Sequence, residues 1–268
     1  MIFDVINESV TPHLSVSDRM ILALYDLGIT TKPQLATITG WTDSRINETL
    51  KRIRARDKAN KDAWIRSWQP KSKHPYVYAL GEEGFKAAKL LRGENGNGNG
   101  RKIPAKPHVW HFLGLNQILV RLLEARMVEV EEWLSGKEAA SWVYHALLER
   151  THPGEKPIEQ GTPLRPDAMV QIAGVMWAIE YDTGTEPTPR LEAKFHRYLS
   201  LAAMLPEGEM PPVLFVTVSD RRRNAAARAF DRAVAKYPSL RTIRGKWDHI
   251  QFLTEGEEVP FLERWLRG

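Results

Sequence analysis

The sequence predicts an α+β protein of two domains, on the basis of three observations. The first part carries three helix patterns followed by a strand hairpin, and the second part alternates strand and helix patterns. A segment rich in Asn and Gly separates the two parts. The order of elements in the second part implies a mixed sheet flanked by helices. With 268 residues, of which 43% are hydrophobic, the chain is long enough to bury real cores.

The separating segment spans residues 93–107. Alternating Asn and Gly, followed by basic and proline residues, cannot form a core and predict a flexible linker. The predicted domains are therefore residues 1–92 and residues 108–268.

Composition excludes several classes of protein. The chain has no cysteine, which excludes disulfides, a thiol nucleophile and a thiolate zinc site. No glycine-rich phosphate loop of an ATP motor is present, and no signal peptide or membrane-spanning apolar run is found. A cytoplasmic location without membrane contact is expected.

The first domain is predicted to contain three helices, a basic hairpin and a closing helix, an arrangement that resembles a winged helix-turn-helix. The net charge is only +5, but residues 45–74 are strongly basic. A helix fits the major groove of double-stranded DNA, and basic side chains neutralise phosphates. The predicted DNA contacts are Arg45, Lys51, Arg52, Lys71 and Lys73. Alternatively, these charges form a solvated face of a protein-interaction module.

In the second domain, two apolar strand patterns are joined by Ala173 and Gly174, a plausible two-residue turn. This register places Asp167 directly opposite Glu180 and leaves an uninterrupted apolar set on the other face. Residues 139–150 fit either a strand or a helix.

Carboxylates directly across a strand pair repel each other, so the pair needs a compensating group. Mg²⁺ or Mn²⁺, which prefer oxygen ligands, would supply it if bound by Asp167 and Glu180. A shared proton or a bridge to Arg165 would also reduce the repulsion.

The helix that follows the hairpin carries Lys194 at the edge of its apolar stripe, leaning toward the sheet. A lysine beside two carboxylates could orient a water or stabilise a phosphate. Tyr198, one turn later, either hydrogen-bonds to the same phosphate or closes the core.

These residues resemble the PD-(D/E)xK nuclease superfamily, with Pro166 and Asp167 in "RPD" and Glu180 in "IEYD". The usual lysine two residues after the acid is replaced by Asp182, and Lys194 would take its place. The resemblance implies an α/β PD-(D/E)xK nuclease-like domain with a mixed central sheet. It also implies catalytic roles for Asp167, Glu180, Asp182 and Lys194.

The chain is also similar to the replication-relaxation family of plasmids and mobile elements. The resemblance rests on a winged helix, an "H…L…N" helix, "RPD", "E-x-D-x-G-T-E" and "K-x-x-x-Y". These motifs include His111, Leu113, Asn116, Glu180, Asp182, Gly184, Thr185, Glu186, Lys194 and Tyr198. The family resemblance implies a role in plasmid replication, relaxation or mobilisation, without guaranteeing cleavage.

Three functions remain open: a metal-dependent DNA endonuclease or nickase, a non-catalytic DNA-binding initiator or regulator, and an adaptor that binds only proteins. The acid cluster itself is open to three interpretations, namely a catalytic site, a degenerate metal or phosphate site, and an ion-pair network around Arg165. His111 is a further candidate site residue, and Glu124 is a candidate first-helix acid with Glu138 and Glu149 as rivals. The expected partners are double-stranded DNA and other replication proteins, and a two-fold DNA site would imply a homodimer.

Overall fold

In a computed structural model, the chain forms two compact units, Met1–Ala125 and Arg126–Gly268. The structure describes residues 2–94, 102–148, 164–206, 208–236 and 249–268. Ten α-helices, a three-stranded sheet and a mixed five-stranded sheet lie within these ranges, which confirms the predicted α+β class. None of the helices in these ranges is long and apolar enough to cross a membrane.

The first unit combines helices with a small sheet. Its elements are α1 Ile2–Ile6, α2 Val16–Leu27, β1 Ile29–Thr31, α3 Lys32–Thr39, α4 Asp43–Arg54, β2 Ile65–Trp68, β3 Val77–Leu80, α5 Glu82–Leu91 and α6 Val109–Glu124. Capping residues set several helix ends. Ser15 and Thr42 accept backbone hydrogen bonds at the starts of α2 and α4, and Thr31 forms a capping box with Gln34 at the start of α3. Gly40 ends α3 with a φ of 67°, which glycine adopts at little cost.

The sheet of this unit has the order β1-β3-β2, and both pairings are antiparallel. Strands β2 and β3 form the predicted hairpin, and their connecting loop carries the basic residues Lys71 and Lys73. Lys73 lies at a φ of 62°, in the left-handed region that costs a non-glycine residue about 1–2 kcal/mol.

Helix α6 packs within the first unit. Asn116 donates hydrogen bonds to the carbonyls of Leu27 and Ile29, at 3.1 and 3.0 Å. Val109 and Leu113 join the buried cluster formed with the small sheet. The compact unit therefore extends to Ala125, beyond the linker at which the sequence analysis places the domain boundary. Residues 95–101 of that linker lie outside the described ranges.

The second unit is built on the five-stranded sheet. Its elements are β4 Val130–Ser135, α7 Gly136–Leu148, β5 Ala168–Ile172, β6 Val175–Asp182, α8 Thr188–Met204, β7 Val213–Thr217, α9 Asp220–Lys236, β8 Ile250–Thr254 and α10 Glu258–Arg267. The strand order is β4-β5-β6-β7-β8, with β4, β5 and β6 antiparallel and β6, β7 and β8 parallel. The mixed sheet is therefore confirmed, and the undecided segment is helical in its described part, up to residue 148.

The β5–β6 hairpin has the predicted register. Ala173 and Gly174 form its turn with φ values of 49° and 74°, and Ala168 pairs with Ile179. Asp167 therefore follows at the position across from Glu180.

The two faces of this sheet differ in what they carry. The predicted apolar face is buried, as Val170, Trp177 and Ile179 show with exposures of 0, 2 and 0%. The other face packs against α8 and α9 through an aromatic cluster of Phe195, Phe215, Phe230 and Phe252, with neighbouring ring centroids 5.2 to 5.9 Å apart. Burial of that cluster fixes α8 against the strands that carry the acidic residues.

Candidate functional site

The centre of the site is the carboxylate of Glu180, on the face of β6 that α8 covers. Only 1% of the residue is exposed. Tyr198 donates a hydrogen bond from its hydroxyl to Oε1 at 2.7 Å, and Lys194 donates from Nζ to Oε2 at 2.7 Å. Both oxygens of this buried carboxylate are therefore held by side chains of one helix.

Helix geometry explains why both donors reach the same group. Lys194 and Tyr198 are four residues apart, so they lie one above the other on one face of α8. Tyr198, like Leu191 and Phe195, belongs to the buried stripe of α8, whereas Lys194 keeps 20% of its side chain exposed at the edge of that stripe. The structure thus brings Lys194 toward the sheet, where the sequence pattern predicts it.

Lys194 faces more negative charge than one carboxylate supplies. Its Nζ also lies 3.3 Å from Glu186 Oε2. Burial alone would lower the pKa of Lys194, but attraction to Glu180 and Asp167 outweighs burial and raises that pKa. Lys194 is therefore a firmly protonated cation among three carboxylates.

Burial has the opposite effect on the pKa of the Glu180 carboxyl group. It raises the pKa of Glu180 to about 7, although Lys194 acts to lower it, and the charge of Asp167 adds to the increase. Burial prevails because Glu180 is almost completely removed from water, whereas Lys194 retains contact with solvent. The pKa of the Tyr198 hydroxyl is raised by burial and by the neighbouring Glu180 charge, so Tyr198 stays a hydrogen-bond donor.

Asp167 immediately precedes β5 and is half-buried. Its Oδ2 accepts a hydrogen bond from the Tyr181 amide at 2.9 Å, and its own amide donates to the carbonyl of Ile179 at 3.1 Å. Its carbonyl accepts from the Gly136 amide at 3.1 Å. These bonds hold Asp167 beside the strand that carries Glu180.

Asp182 has a different partner. Its carboxylate is 3% exposed and forms an ion pair with Arg222, while its Oδ1 accepts from the Gly184 amide at 2.9 Å. Arg222 also donates to the carbonyl of Glu186 at 2.6 Å. Asp182 and Arg222 therefore tie the loop after β6 to the start of α9. Arg165, the alternative ion-pair partner considered from the sequence, is exposed.

Asp167 and Glu180 offer carboxylate oxygens, the ligand type that a hard divalent cation prefers. Mg²⁺ is commonly bound by one or two carboxylates together with water and substrate phosphate. Asp167, Glu180 and Glu186 outnumber Lys194, so the ionised cluster keeps an excess of negative charge. Within the described ranges, no three or more His, Cys, Asp or Glu side chains form a metal-ligand group. Beyond Asp167 and Glu180, the described part of the chain leaves further ligands for such a cation to solvent or substrate.

Two of the remaining candidates, His111 and Glu124, belong to the first unit, and Glu138 belongs to the second. His111, on α6 of the first unit, contacts the Phe112 ring at 5.9 Å between centroids. Glu124 ends the same helix, and its Oε1 accepts a hydrogen bond from Thr37 at 3.4 Å. Glu138 accepts a hydrogen bond from the Ser135 amide at 3.3 Å, and Glu149 is outside the described residues.

The predicted DNA-contacting residues are all in the first unit. Lys51 and Arg52 are exposed on α4, and Lys71 and Lys73 are exposed on the β2–β3 loop. Arg45 forms an ion pair with Glu8 and lies over the Trp41 ring, 4.6 Å from its centroid. Four of the five cations therefore face solvent in the two elements that the sequence assigns to DNA contact.

Two features of the site were missed from the sequence, namely the Arg222–Asp182 pair and the position of Glu186 against Lys194. A topological signal for the first exists. Asp182 ends β6 and pairs with Thr217 at the end of parallel β7, and α9 begins just after β7. Carboxyl ends of parallel strands meet at one edge, so a basic residue in the first turn of α9 lies near Asp182.

Fold and site together define a mixed α+β protein whose second unit carries a buried carboxylate bound by a lysine and a tyrosine. The chain belongs to the replication-relaxation family, whose sequence model matches residues 22–211. This confirms the family membership predicted from the motifs. No match was found among curated proteins, and none among solved structures.

Proposed function

We propose that this protein binds double-stranded DNA and acts in the replication or relaxation of plasmid or mobile-element DNA by cutting a phosphodiester bond. The observation that carries the proposal is the cluster of Asp167, Glu180 and Lys194, in which Lys194 Nζ lies 2.7 Å from the Glu180 carboxylate. Membership in the replication-relaxation family supports the biological setting.

The first unit would deliver the chain to DNA as a winged helix. Support comes from the order of α2, α3 and α4 followed by the β2–β3 hairpin, and from Lys51, Arg52, Lys71 and Lys73 exposed on α4 and the hairpin loop. Helix α4 would enter the major groove, and the hairpin loop would contact the backbone.

The second unit would be a PD-(D/E)xK nuclease-like domain with its lysine moved to α8. Asp167 and Glu180 would hold Mg²⁺ or Mn²⁺, which would supply Lewis-acid stabilisation of the phosphate when bound. Lys194 is held protonated by its carboxylate neighbours and would stabilise negative charge that develops on the phosphate. Tyr198 orients the Glu180 carboxylate through its hydrogen bond, and Asp182 supports the loop that carries Glu186.

One observation favours a second function, a non-catalytic initiator or regulator. Both oxygens of Glu180 already accept hydrogen bonds, and Asp182 is bound by Arg222. A site whose acids are satisfied by internal partners could serve as a DNA-binding platform without cleavage. Dependence of DNA cleavage on a divalent cation separates the two functions.

The test is conversion of supercoiled plasmid to open-circle or linear DNA with Mg²⁺ or Mn²⁺. Asp167→Asn, Glu180→Gln and Lys194→Met are each expected to reduce the rate at least about a hundredfold, the scale of losing one electrostatic contribution to catalysis. Glu192→Gln is the matched control, because Glu192 lies on α8 but pairs with Arg232 at the surface.

Cleavage by the wild type that survives in Asp167→Asn and Glu180→Gln would exclude this cluster as the catalytic site. Absence of cleavage by the wild type, with salt-sensitive duplex binding retained, would favour the regulator.

A further inference from the structure

A patch of aromatic and basic side chains lies where the β2–β3 loop meets the start of α6. The Lys71 Nζ lies 4.8 Å from the centroid of the Trp110 ring, and the centroid of the nearly perpendicular His74 ring lies 5.1 Å from it. Trp110 is still 37% exposed and Tyr76 is 53% exposed. The first unit thus presents two large ring surfaces to water among cations.

Several contacts join the β2–β3 hairpin to the segment before α6 and stabilise this patch. Arg66 donates a hydrogen bond to the carbonyl of Pro104 at 2.9 Å, which fixes the segment before α6 against β2. Lys106 lies over the Trp68 ring at 5.6 Å, and Gln69 donates to the carbonyl of His74 at 3.1 Å. These contacts, with those of Lys71 and His74, hold Trp110 beside the β2–β3 loop.

The charge of this patch is of one sign. Residues 69–76 and residues 102–110 contain four lysines and no Asp or Glu. The tip residue Lys73 keeps a left-handed φ of 62°, a position where glycine would cost less. A purely apolar partner would have to desolvate these lysines, whereas a polyanion would be attracted by them.

We propose that this patch, which we call the wing platform (Lys71, His74, Tyr76, Lys106 and Trp110), binds single-stranded DNA by stacking bases on Trp110 and Tyr76. Stacking requires a base with a free face, which a duplex interior does not offer and a melted or nicked strand does. The lysines of the platform neutralise the neighbouring phosphates. The proposal rests on the proposed function, because it assumes that the protein acts on DNA, and it adds the strand state that the first unit recognises.

The test is fluorescence anisotropy with a labelled oligothymidine of about 16 nucleotides, the upper site size of a single-strand binding module. A duplex of equal length is measured in parallel, without divalent cations, so that cleavage does not enter. Trp110→Leu and Tyr76→Ala are each expected to weaken binding of the single strand about tenfold and binding of the duplex less than about twofold. Trp110→Phe, which keeps a ring, is expected to retain most of the affinity.

Trp265→Leu is the matched control, because Trp265 is 38% exposed but belongs to the second unit. Lys71→Gln is expected to reduce the slope of log affinity against log salt for the single strand by about 0.7. Circular dichroism and thermal unfolding establish that each variant is folded.

Each outcome decides one of the two proposals. If the wild type binds duplex but not the single strand, or if single-strand binding is unchanged in both Trp110→Leu and Tyr76→Ala, the wing platform is overturned and the proposed DNA-cutting function stands. If the wild type binds neither form of DNA, the proposed function itself is overturned. A selective loss of single-strand binding in the ring variants supports the platform.

Discussion

The carboxyl group of Glu180 combines two properties that are expensive in a protein interior, burial and a nearby like charge. Burial raises its pKa to about 7, and the charge of Asp167 contributes in the same direction. Hydrogen bonds from Lys194 and Tyr198 offset part of this cost. A buried acid with a raised pKa is a candidate functional group, since apolar residues of similar volume are often at least as stable in its place.

The raised pKa predicts a pH-dependent stability. Between its ordinary pKa of 4.5 and about 7, the Glu180 carboxyl binds more protons in the folded than in the unfolded chain. The free energy of unfolding should therefore fall as pH rises through this range, by at most about 1.4 kcal/mol per unit of pKa shift. Urea unfolding of the wild type and Glu180→Gln at several pH values measures it. The difference between the two proteins should depend on pH, and a constant difference would contradict the assignment.

Some residue contacts of the site can be predicted from the sequence, and others cannot. Asp167 opposite Glu180 follows from strand alternation and a two-residue turn, and Lys194 follows from helical spacing. The pairing of Asp182 with Arg222 joins residues that are 40 positions apart, and only the parallel order of β6 and β7 brings them together. Local periodicity contains no information about that order.

At the scale of elements, Gly28 allows α6 to approach the turn after α2. Its φ of 73° is left-handed, and a Cβ at this position would lie 2.5 Å from Phe112 Cε1. Asn116, one turn further along α6, bonds to the carbonyls on either side of Gly28. The asparagine of the "H…L…N" motif therefore has a structural role in packing α6.

This geometry predicts a cost for Gly28→Ala. Gly40→Ala is the control for a positive φ without crowding, because Gly40 lies in the αL region, with φ 67° and ψ 13°, and a Cβ added there would have no atom of the described residues within 4 Å; Gly28, with ψ −85°, lies outside that region. Gly28→Ala should lower the free energy of unfolding by at least about 1–3 kcal/mol more than Gly40→Ala, because overpacking against Phe112 adds to the cost of the less accessible backbone conformation. Urea unfolding followed by circular dichroism measures both variants. Equal losses would mean that neither the Phe112 contact nor the difference in ψ adds a cost at Gly28.

Elements with strong periodicity were predicted from the sequence, and those fixed by distant contacts were not. Helices α2 to α4, the β2–β3 hairpin and α8 follow from caps, stripes and turns. The packing of α6 within the first unit was not predicted, because its apolar stripe is equally compatible with a core on either side of the linker. The secondary structure of residues 139–150 stayed undecided for a related reason, because the spacing of their apolar residues fits both a helix and a strand.

At the scale of the whole molecule, the position of α6 predicts which fragment is independently stable. A fragment Met1–Ala125 retains Val109 and Leu113, whereas a fragment that ends at residue 107 exposes the cluster that these side chains cover. Burial of a Val or Leu side chain contributes about 1.5–3 kcal/mol, so the shorter fragment should be several kcal/mol less stable. Urea unfolding of the two fragments gives the difference. Equal midpoints would favour the boundary at the linker.

The lysine of the site reaches its acid from α8 and not from the strand of Glu180. On a strand, the pleat fixes a lysine two residues after the acid, and one inserted residue would turn it to the opposite face. Here α8 is held against the sheet by Leu191, Phe195 and Tyr198, and not by residues 183–187, which connect it to β6 and carry Glu186. The connecting loop can therefore gain or lose residues while Lys194 and Glu180 still meet. The site therefore tolerates changes in the length of this loop, provided that Arg222 still bonds to Asp182 and to the loop.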